Sequence, residues 1–479
     1  MPGSVFWLIA VTTAIRLWFA WAIGLGIDES YMVAAGRTLR WGYFDHPPLA
    51  WWLSAGITHL AGTEAALVVR LPFIALFALS TALMYRLTAL LFSREAALWA
   101  AAAFNVAPVL GVTTGTWVLP DGPLIASLLA AALCLVHALA PPNPRHSRAW
   151  AWWLAAGAGA GLALLSKYSA ALVLIGAFAY LLTQPKHRPW LTRPEPYLAG
   201  LIAVLLFTPV IIWNAHHQWA SFAFQGERAT VSRLNPLGPL ENLGGIALYL
   251  LPWIWLPLVL QFVRGLRAGP ADWQRWLLCC LAAGPVLFFP LVSLWSRTGQ
   301  FHWAAPGYLF LFPLLGDWLA RWRPRPARLW IGGSAALVCA GLLAVALEVH
   351  WNWVGRIRPG ADPGLQGIDW IPLRAALQAR GLQGDAVAAT NWRDGGKIAY
   401  ALGGNPPVIC LNADAREFGF MPPPPPGADV LVIAPAGHAG FDPTLFASVQ
   451  PLPPLSVQLS GRTVQFALSI GHHLQRWPP

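Results

Sequence analysis

Along the chain, long apolar runs alternate with short polar loops. Eleven runs stand out, at 5–25, 66–91, 95–113, 121–140, 149–166, 168–183, 197–214, 243–263, 274–296, 302–320 and 328–350. Runs of about 18 or more apolar residues are long enough, as helices, to cross the hydrocarbon of a bilayer. After residue 350 the runs shorten and become strand-like: "DAVAAT", "PVICL" and "DVLVIAPA", with a helical "DGGKIAYALGG" between the first two. The pattern predicts a polytopic α-helical membrane domain over residues 1–350, with about 11 transmembrane helices, and a small α/β domain over 351–479. Within the second domain, Pro422 to Pro426 reads as a stiff polyproline linker. The first run lacks a basic leader region and a small-residue cleavage site, so it is expected to stay as an anchor.

Composition supports this reading. Hydrophobic residues make up 57% of the 479 residues and charged residues only 11%, against about a quarter charged in soluble domains. The distribution of Lys and Arg gives an orientation. With the N-terminus cytoplasmic, the inner loops carry Arg86 and Arg94; Arg145 and Arg148; Lys186, Arg188 and Arg193; Arg264, Arg267 and Arg275; and Arg321, Arg323, Arg325 and Arg328. An odd number of crossings puts the C-terminal domain outside. The net charge of +11 is then a topology signal, and no basic soluble face suggests nucleic-acid binding. Four of the five cysteines fall inside apolar runs, leaving Cys410 alone in the terminal domain without a disulfide partner. No P-loop, GxGxxG or HExxH motif occurs, which argues against a soluble nucleotide donor.

This topology brings polar residues to one side of the membrane. The first external loop, 26–65, holds Asp28, Glu29, Asp45 and His46, followed by Trp51 and Trp52 on a short segment suited to the headgroup level. Other outer loops add Asp121, the pair Lys167–Tyr168, Arg228, Arg297 and His302. Lys167 sits between two apolar runs with almost no loop, where a cation is costly unless an anion pairs with it. A solvated loop carboxylate and a snorkelling lysine are the plain alternatives for single residues; the clustering favours a site. Arg16 and Arg70, inside or near apolar runs, are left out of the site, since a structural ion-pair role serves them equally well. Carboxylates and cations beside a membrane suit group transfer from a lipid phosphate. The leaving phosphate needs cationic stabilisation, and the acceptor hydroxyl needs a base.

Five motifs carry a family resemblance: "DESY" at 28–31, "YFDHPPLAWW" at 43–52, "PDGPL" at 120–124, "LLSKYSA" at 164–170 and "WNAHHQWASFAFQGER" at 213–228. In these the chain resembles the GT-C superfamily of membrane glycosyltransferases. The branch is that of the protein O-mannosyltransferases and of the lipid A aminoarabinose and galacturonic acid transferases. The resemblance implies Asp28 as catalytic carboxylate, completed by Glu29, with Asp45 assisting. His46, Asp121, Lys167, Tyr168, Arg228, Arg297 and His302 are expected to bind substrate. Where aminoarabinose transferases typically have Glu-Lys-Pro-Pro, this chain has Asp45-His46-Pro47-Pro48.

The family's donor is a polyprenyl-phosphate sugar, and its reaction inverts the anomeric centre. No cofactor is firmly implied: some relatives use a divalent cation and others do not. The expected function is transfer of that sugar to an envelope glycolipid or glycan at the outer face of a bacterial inner membrane. Membrane lipids are further partners, and no nucleic acid is expected. Protein O-mannosyl transfer and lipid-linked-sugar transport are the competing functions. The topology is directly testable. Reporter fusions at Leu90 and Arg325 should report the cytoplasm, and fusions at Ala220 and Tyr400 the outside. A cytoplasmic Tyr400 contradicts both the topology and the site.

Overall fold

The computed structural model describes residues 2–139, 147–228, 234–296, 300–358, 362–382, 384–438 and 440–477. Arg145 and Arg297 lie outside the described residues. Two compact units are present. The first comprises 1–17, 40–50 and 71–339; the second comprises 18–39, 51–70 and 340–479.

Among the described residues, seven helices are long and apolar enough to cross a membrane. They are Gly3–Ala22, Ala66–Leu91, Asp121–Leu139, Ala149–Ser166, Pro194–His216, Trp273–Val292 and Pro324–Trp351, and they coincide with seven of the predicted runs. The other four runs fold as shorter or broken pieces. Run 95–113 becomes Arg94–Val106 followed by the π-helix Val109–Thr114. Run 168–183 gives Ala170–Thr183, of 14 residues. Run 243–263 becomes two helices, Gly238–Leu250 and Pro252–Ala271, bent by 115°. The bend falls at Leu251, with φ 69°, directly before Pro252, whose ring cannot continue a helix interior. Run 302–320 is divided into short helical turns ending with Phe312–Leu319. Pro306 and Pro313, each near the start of a piece, remove backbone donors there.

The pieces of the last of these runs lie deep in the first unit. Tyr308 to Leu315 are all buried. Phe104 stacks on Phe77 at 4.7 Å and meets Phe312 edge-on at 5.9 Å. Around them, small residues let helices approach closely, the usual solution where lipid supplies no hydrophobic drive. A Cβ on Gly157 would lie 2.4 Å from the Ala199 carbonyl oxygen, and one on Gly159 3.0 Å from the Ala131 nitrogen. The "AGAGAG" stretch thus packs the Ser147–Ser166 helix against two neighbours.

The second unit contains a five-stranded sheet. Its strands are β1 (Ala386–Ala389), β2 (Val408–Cys410), β3 (Val430–Pro435), β4 (Phe446–Leu459) and β5 (Arg462–Leu474), in the order β2-β1-β3-β5-β4. β1 pairs parallel with β2 and β3, while β3–β5 and β4–β5 are antiparallel. The three expected strand segments are β1 to β3, and the expected helix is Trp392–Leu402. The polyproline run connects a 3-10 turn, Arg416–Phe420, to β3 inside this fold. The β4–β5 hairpin was not expected. Ser460 and Gly461 both have positive φ, which suits a tight two-residue hairpin turn. The prolines of β4 are tolerated because it is an edge strand.

Residues 20–26, where the first apolar run ends, are anchored within this unit. Arg70 is fully buried and its guanidinium makes five hydrogen bonds. It donates to both Glu29 carboxylate oxygens at 2.8 and 2.5 Å, to the carbonyls of Ala20 and Ile23 at 2.9 Å, and to that of Gly24 at 2.8 Å. Asp369 Oδ1 accepts from Leu25 N at 2.9 Å. Gly24 permits that approach, since a Cβ there would sit 2.6 Å from Asp369 N. Lys397 Nζ donates to the carbonyls of Leu25 and Ile368. Removing one member of a buried ion pair leaves an uncompensated charge, at a cost of about 3–5 kcal/mol. Arg70→Met should therefore lower the thermal midpoint by several degrees or abolish folding in detergent. The double variant Arg70→Met/Glu29→Gln should recover part of the loss. Equal stability of wild type and Arg70→Met contradicts the anchoring role.

Candidate active site

The first unit brings together most of the predicted polar residues. Asp121 opens its helix, and Lys167 directly follows the helix that ends at Ser166. A carboxylate at a helix N-terminus and a cation beyond a C-terminus each suit the local backbone dipole. Lys167 Nζ is 3.0 Å from both Asp121 carboxylate oxygens, and both residues are buried. His302 and His46 lie within electrostatic range of the same carboxylate. The anion that Lys167 was expected to need is therefore Asp121, which the sequence reading had named separately.

A second group of contacts joins two of the motifs. Phe44 packs on Phe224 at 4.6 Å, and Gln225 Nε2 donates to the Asp45 carbonyl at 2.5 Å. Asp45 itself is buried and acts electrostatically on Tyr168. The Tyr168 hydroxyl bonds Ser221 Oγ at 2.7 Å, and its ring meets Phe222 edge-on at 5.3 Å. The Arg228 guanidinium lies over the Phe224 and Trp303 rings, at 4.6 and 5.1 Å from their centroids, an arrangement favourable to a cation. Ser296 Oγ donates to the Arg228 carbonyl, and Arg228 and Lys167 both act on His302. Asp45, His46, Asp121, Lys167, Tyr168, Arg228 and His302 thus form one polar neighbourhood. Ser221, Gln225 and Trp303 support it, though sequence reasoning did not single them out. The first two lie in "WNAHHQWASFAFQGER", so the motif was visible while their individual tasks were not.

Asp28 and Glu29 belong to the second unit. The Ile27–Gly36 helix starts after Gly26, whose N–H donates to Glu29 Oε2 at 2.8 Å. Glu29 is therefore engaged by its own helix end and by Arg70. Asp28, one residue earlier, is exposed. Burial lowers the Lys397 ammonium to about 8, opposed by the nearby charges of Asp369 and Glu29. Burial also raises the Asp369 carboxyl above its ordinary value. Among the described residues, no group of three or more His, Cys, Asp or Glu is arranged to hold a metal ion.

Comparison with known proteins agrees with these motifs. The family profile described as dolichyl-phosphate-mannose-protein mannosyltransferase matches residues 45–213. The lipid A galacturonosyltransferase RgtD of Rhizobium johnstonii is 27% identical over 321 residues, covering 65% of this chain and 64% of that protein. The chain thus matches just under two thirds of that relative's length. The lipopolysaccharide core galacturonosyltransferase RgtB of the same organism is 25% identical over 431 residues, covering 81% of each chain. The crystal structure of ArnT from Cupriavidus metallidurans bound to undecaprenyl phosphate superposes with a TM-score of 0.69 over 98% of both chains, at 17% identity. At that identity the likeness shows the fold alone. In motifs, family profile, relatives and fold, the chain is similar to membrane glycosyltransferases of the GT-C type.

Proposed function

We propose that this protein is an inverting glycosyltransferase that moves a sugar from a polyprenyl-phosphate donor to an envelope glycolipid or glycan. The site is assigned to the outer face of a bacterial inner membrane, and the eleven-crossing topology with an external C-terminus is part of the proposal. The observation that carries it is the buried Asp121–Lys167 pair at the ends of two apolar helices. Asp121 is the one hydrogen-bonding partner of Lys167 Nζ among the described residues. An ammonium with three donors therefore keeps capacity for a phosphate oxygen. Arg228 adds a second cation and His302 a polar neighbour.

In this reaction the acceptor hydroxyl gives its proton to a carboxylate as its oxygen bonds the anomeric carbon from the face opposite the phosphate. The bond from that carbon to the phosphate oxygen breaks, and the electron pair leaves on polyprenyl phosphate. Lys167 and Arg228 offset the growing negative charge. Asp28 takes the role of base, supported by its place in the "DESY" motif and its exposure. Glu29 fixes the helix that carries it, and Asp45 assists. The activities named for the two Rhizobium relatives support a lipopolysaccharide acceptor and make a hexuronic acid the first sugar to test.

Purified protein in nanodiscs, given undecaprenyl-phosphate galacturonic acid and lipid A, should transfer the sugar. Asp28→Asn should lower single-turnover transfer by about a hundredfold or more, the range for a lost general base, with donor binding little changed. Lys167→Met/Asp121→Asn removes both charges together, so no lone buried ion remains. It should fold and yet need about tenfold more donor, through loss of charge-assisted contacts. Near-normal transfer by Asp28→Asn removes it as base, and a larger loss in Asp45→Asn moves that role to Asp45. Movement of the donor across the bilayer without transfer contradicts the enzyme reading.

A further inference from the structure

The second unit contains a cavity that none of the roles above uses. From β1 the chain runs through the Trp392–Leu402 helix to β2 on one side, then returns to β3 on the other side of β1. In open α/β sheets the crevice outside the carboxyl ends of the strands, at such a reversal, is the usual ligand site. Here that crevice is a cavity of about 830 Å³, within the range of roughly 300–1,000 Å³ for small-molecule sites. Its wall includes Asn391 and Trp392 after β1, Asn412 after β2 and His438 after β3.

The polar groups in that wall have capacity left for a ligand. Asp394 is buried in the first turn of the helix, yet its two side-chain partners share one oxygen. Asn391 Nδ2 and His438 Nδ1 both bond Oδ2, at 2.6 and 2.9 Å. Among the described residues no hydrogen bond reaches Oδ1. Trp370 also lines the cavity, and its buried indole N–H has no hydrogen-bond partner there. Arg393 is exposed at the cavity, its guanidinium 5.6 Å from the centre of the Trp392 ring. It makes no ion pair among the described residues.

This chemistry selects among ligands. A nucleotide phosphate would need a glycine-rich turn after β1, whereas "TNWRDGG" puts Asp394 at the helix N-terminus where the phosphate would sit. A sugar fits better: its C–H face packs on an indole, its hydroxyls donate to a carboxylate oxygen, and its ring oxygens accept from an indole N–H. Arg393 supplies the planar, bidentate donor suited to a carboxylate or phosphate substituent. Ile27 also lines the cavity, and the next residue in the chain is Asp28.

From this geometry we infer that the cavity is a subsite for an anionic saccharide, the sugar portion of the acceptor. Its assignment to the acceptor rests on the glycosyltransferase reading; the saccharide chemistry does not. The test is saturation-transfer NMR on the full chain in nanodiscs, with digalacturonate and neutral lactose as probes and no donor present. Digalacturonate should bind about tenfold more tightly than lactose, the difference expected for hydrogen bonds to a charged group. Arg393→Gln, at an exposed position, should erase that preference with unchanged thermal unfolding, and Asp394→Asn should weaken both probes. No binding of either sugar, or a preference that survives Arg393→Gln, overturns the inference. If transfer persists in a protein that binds neither probe, the glycosyltransferase reading stands and only the subsite falls. Binding without transfer gives the reverse result.

Discussion

The burial of Arg70 is the constraint on which the second unit depends. A guanidinium taken out of water is unstable by several kcal/mol unless opposite charge and acceptors surround it. Here Glu29 supplies the charge and three carbonyls at the end of the first apolar run supply the acceptors. Asp369 and Lys397 then take the N–H and the carbonyl of Leu25. Backbone leaving a helix is normally free to adjust; these bonds hold it from both sides. The consequence for function is that Asp28 stands on a helix whose start is fixed by buried charge. The two adjacent carboxylates thus differ in setting: Glu29 is buried against Arg70, whereas Asp28, the proposed base, is exposed.

The first unit follows the same physics with a different result. Asp121 and Lys167 meet where two apolar helices end, and each neutralises the other where neither could be buried alone. The pair is compact, and Lys167 still has donor capacity. Aromatic rings also pack against Arg228 and Tyr168, a favourable setting for the guanidinium.

Much of this was legible in the sequence, because hydropathy and motif spacing are local signals. Seven long helices and strands β1 to β3 fall where apolar periodicity put them. Composition is blind to backbone breaks, so runs 243–263 and 302–320 read as continuous although Leu251–Pro252, Pro306 and Pro313 divide them. The β4–β5 hairpin escaped notice because Pro451, Pro453 and Pro454 resemble a loop until an edge position makes them tolerable. In the site, the residue types were visible and the pairings were not. Lys167 plainly required an anion, but only the fold identifies Asp121. Arg70 was read as an ion-pair partner and pairs with Glu29; Arg16, read the same way, makes no ion pair among the described residues and bonds Asn105 and the carbonyls of Thr12 and Gly111 instead. Gln225 and Ser221 gave no chemical signal of their own, since their tasks exist only once "YFDHPP" and "FAFQGER" lie side by side.

The central claim is that a sugar leaves a lipid phosphate and becomes attached to an envelope glycolipid or glycan. Mass spectrometry of envelope lipids and glycans, from otherwise identical cells with and without this protein, tests it most directly. The account predicts a species heavier by one sugar residue that is present only when the protein is made, and that is lost when Asp28→Asn replaces the wild type. Identical envelope profiles in the two cells, with the lipid-linked sugar merely redistributed between the leaflets, would contradict it.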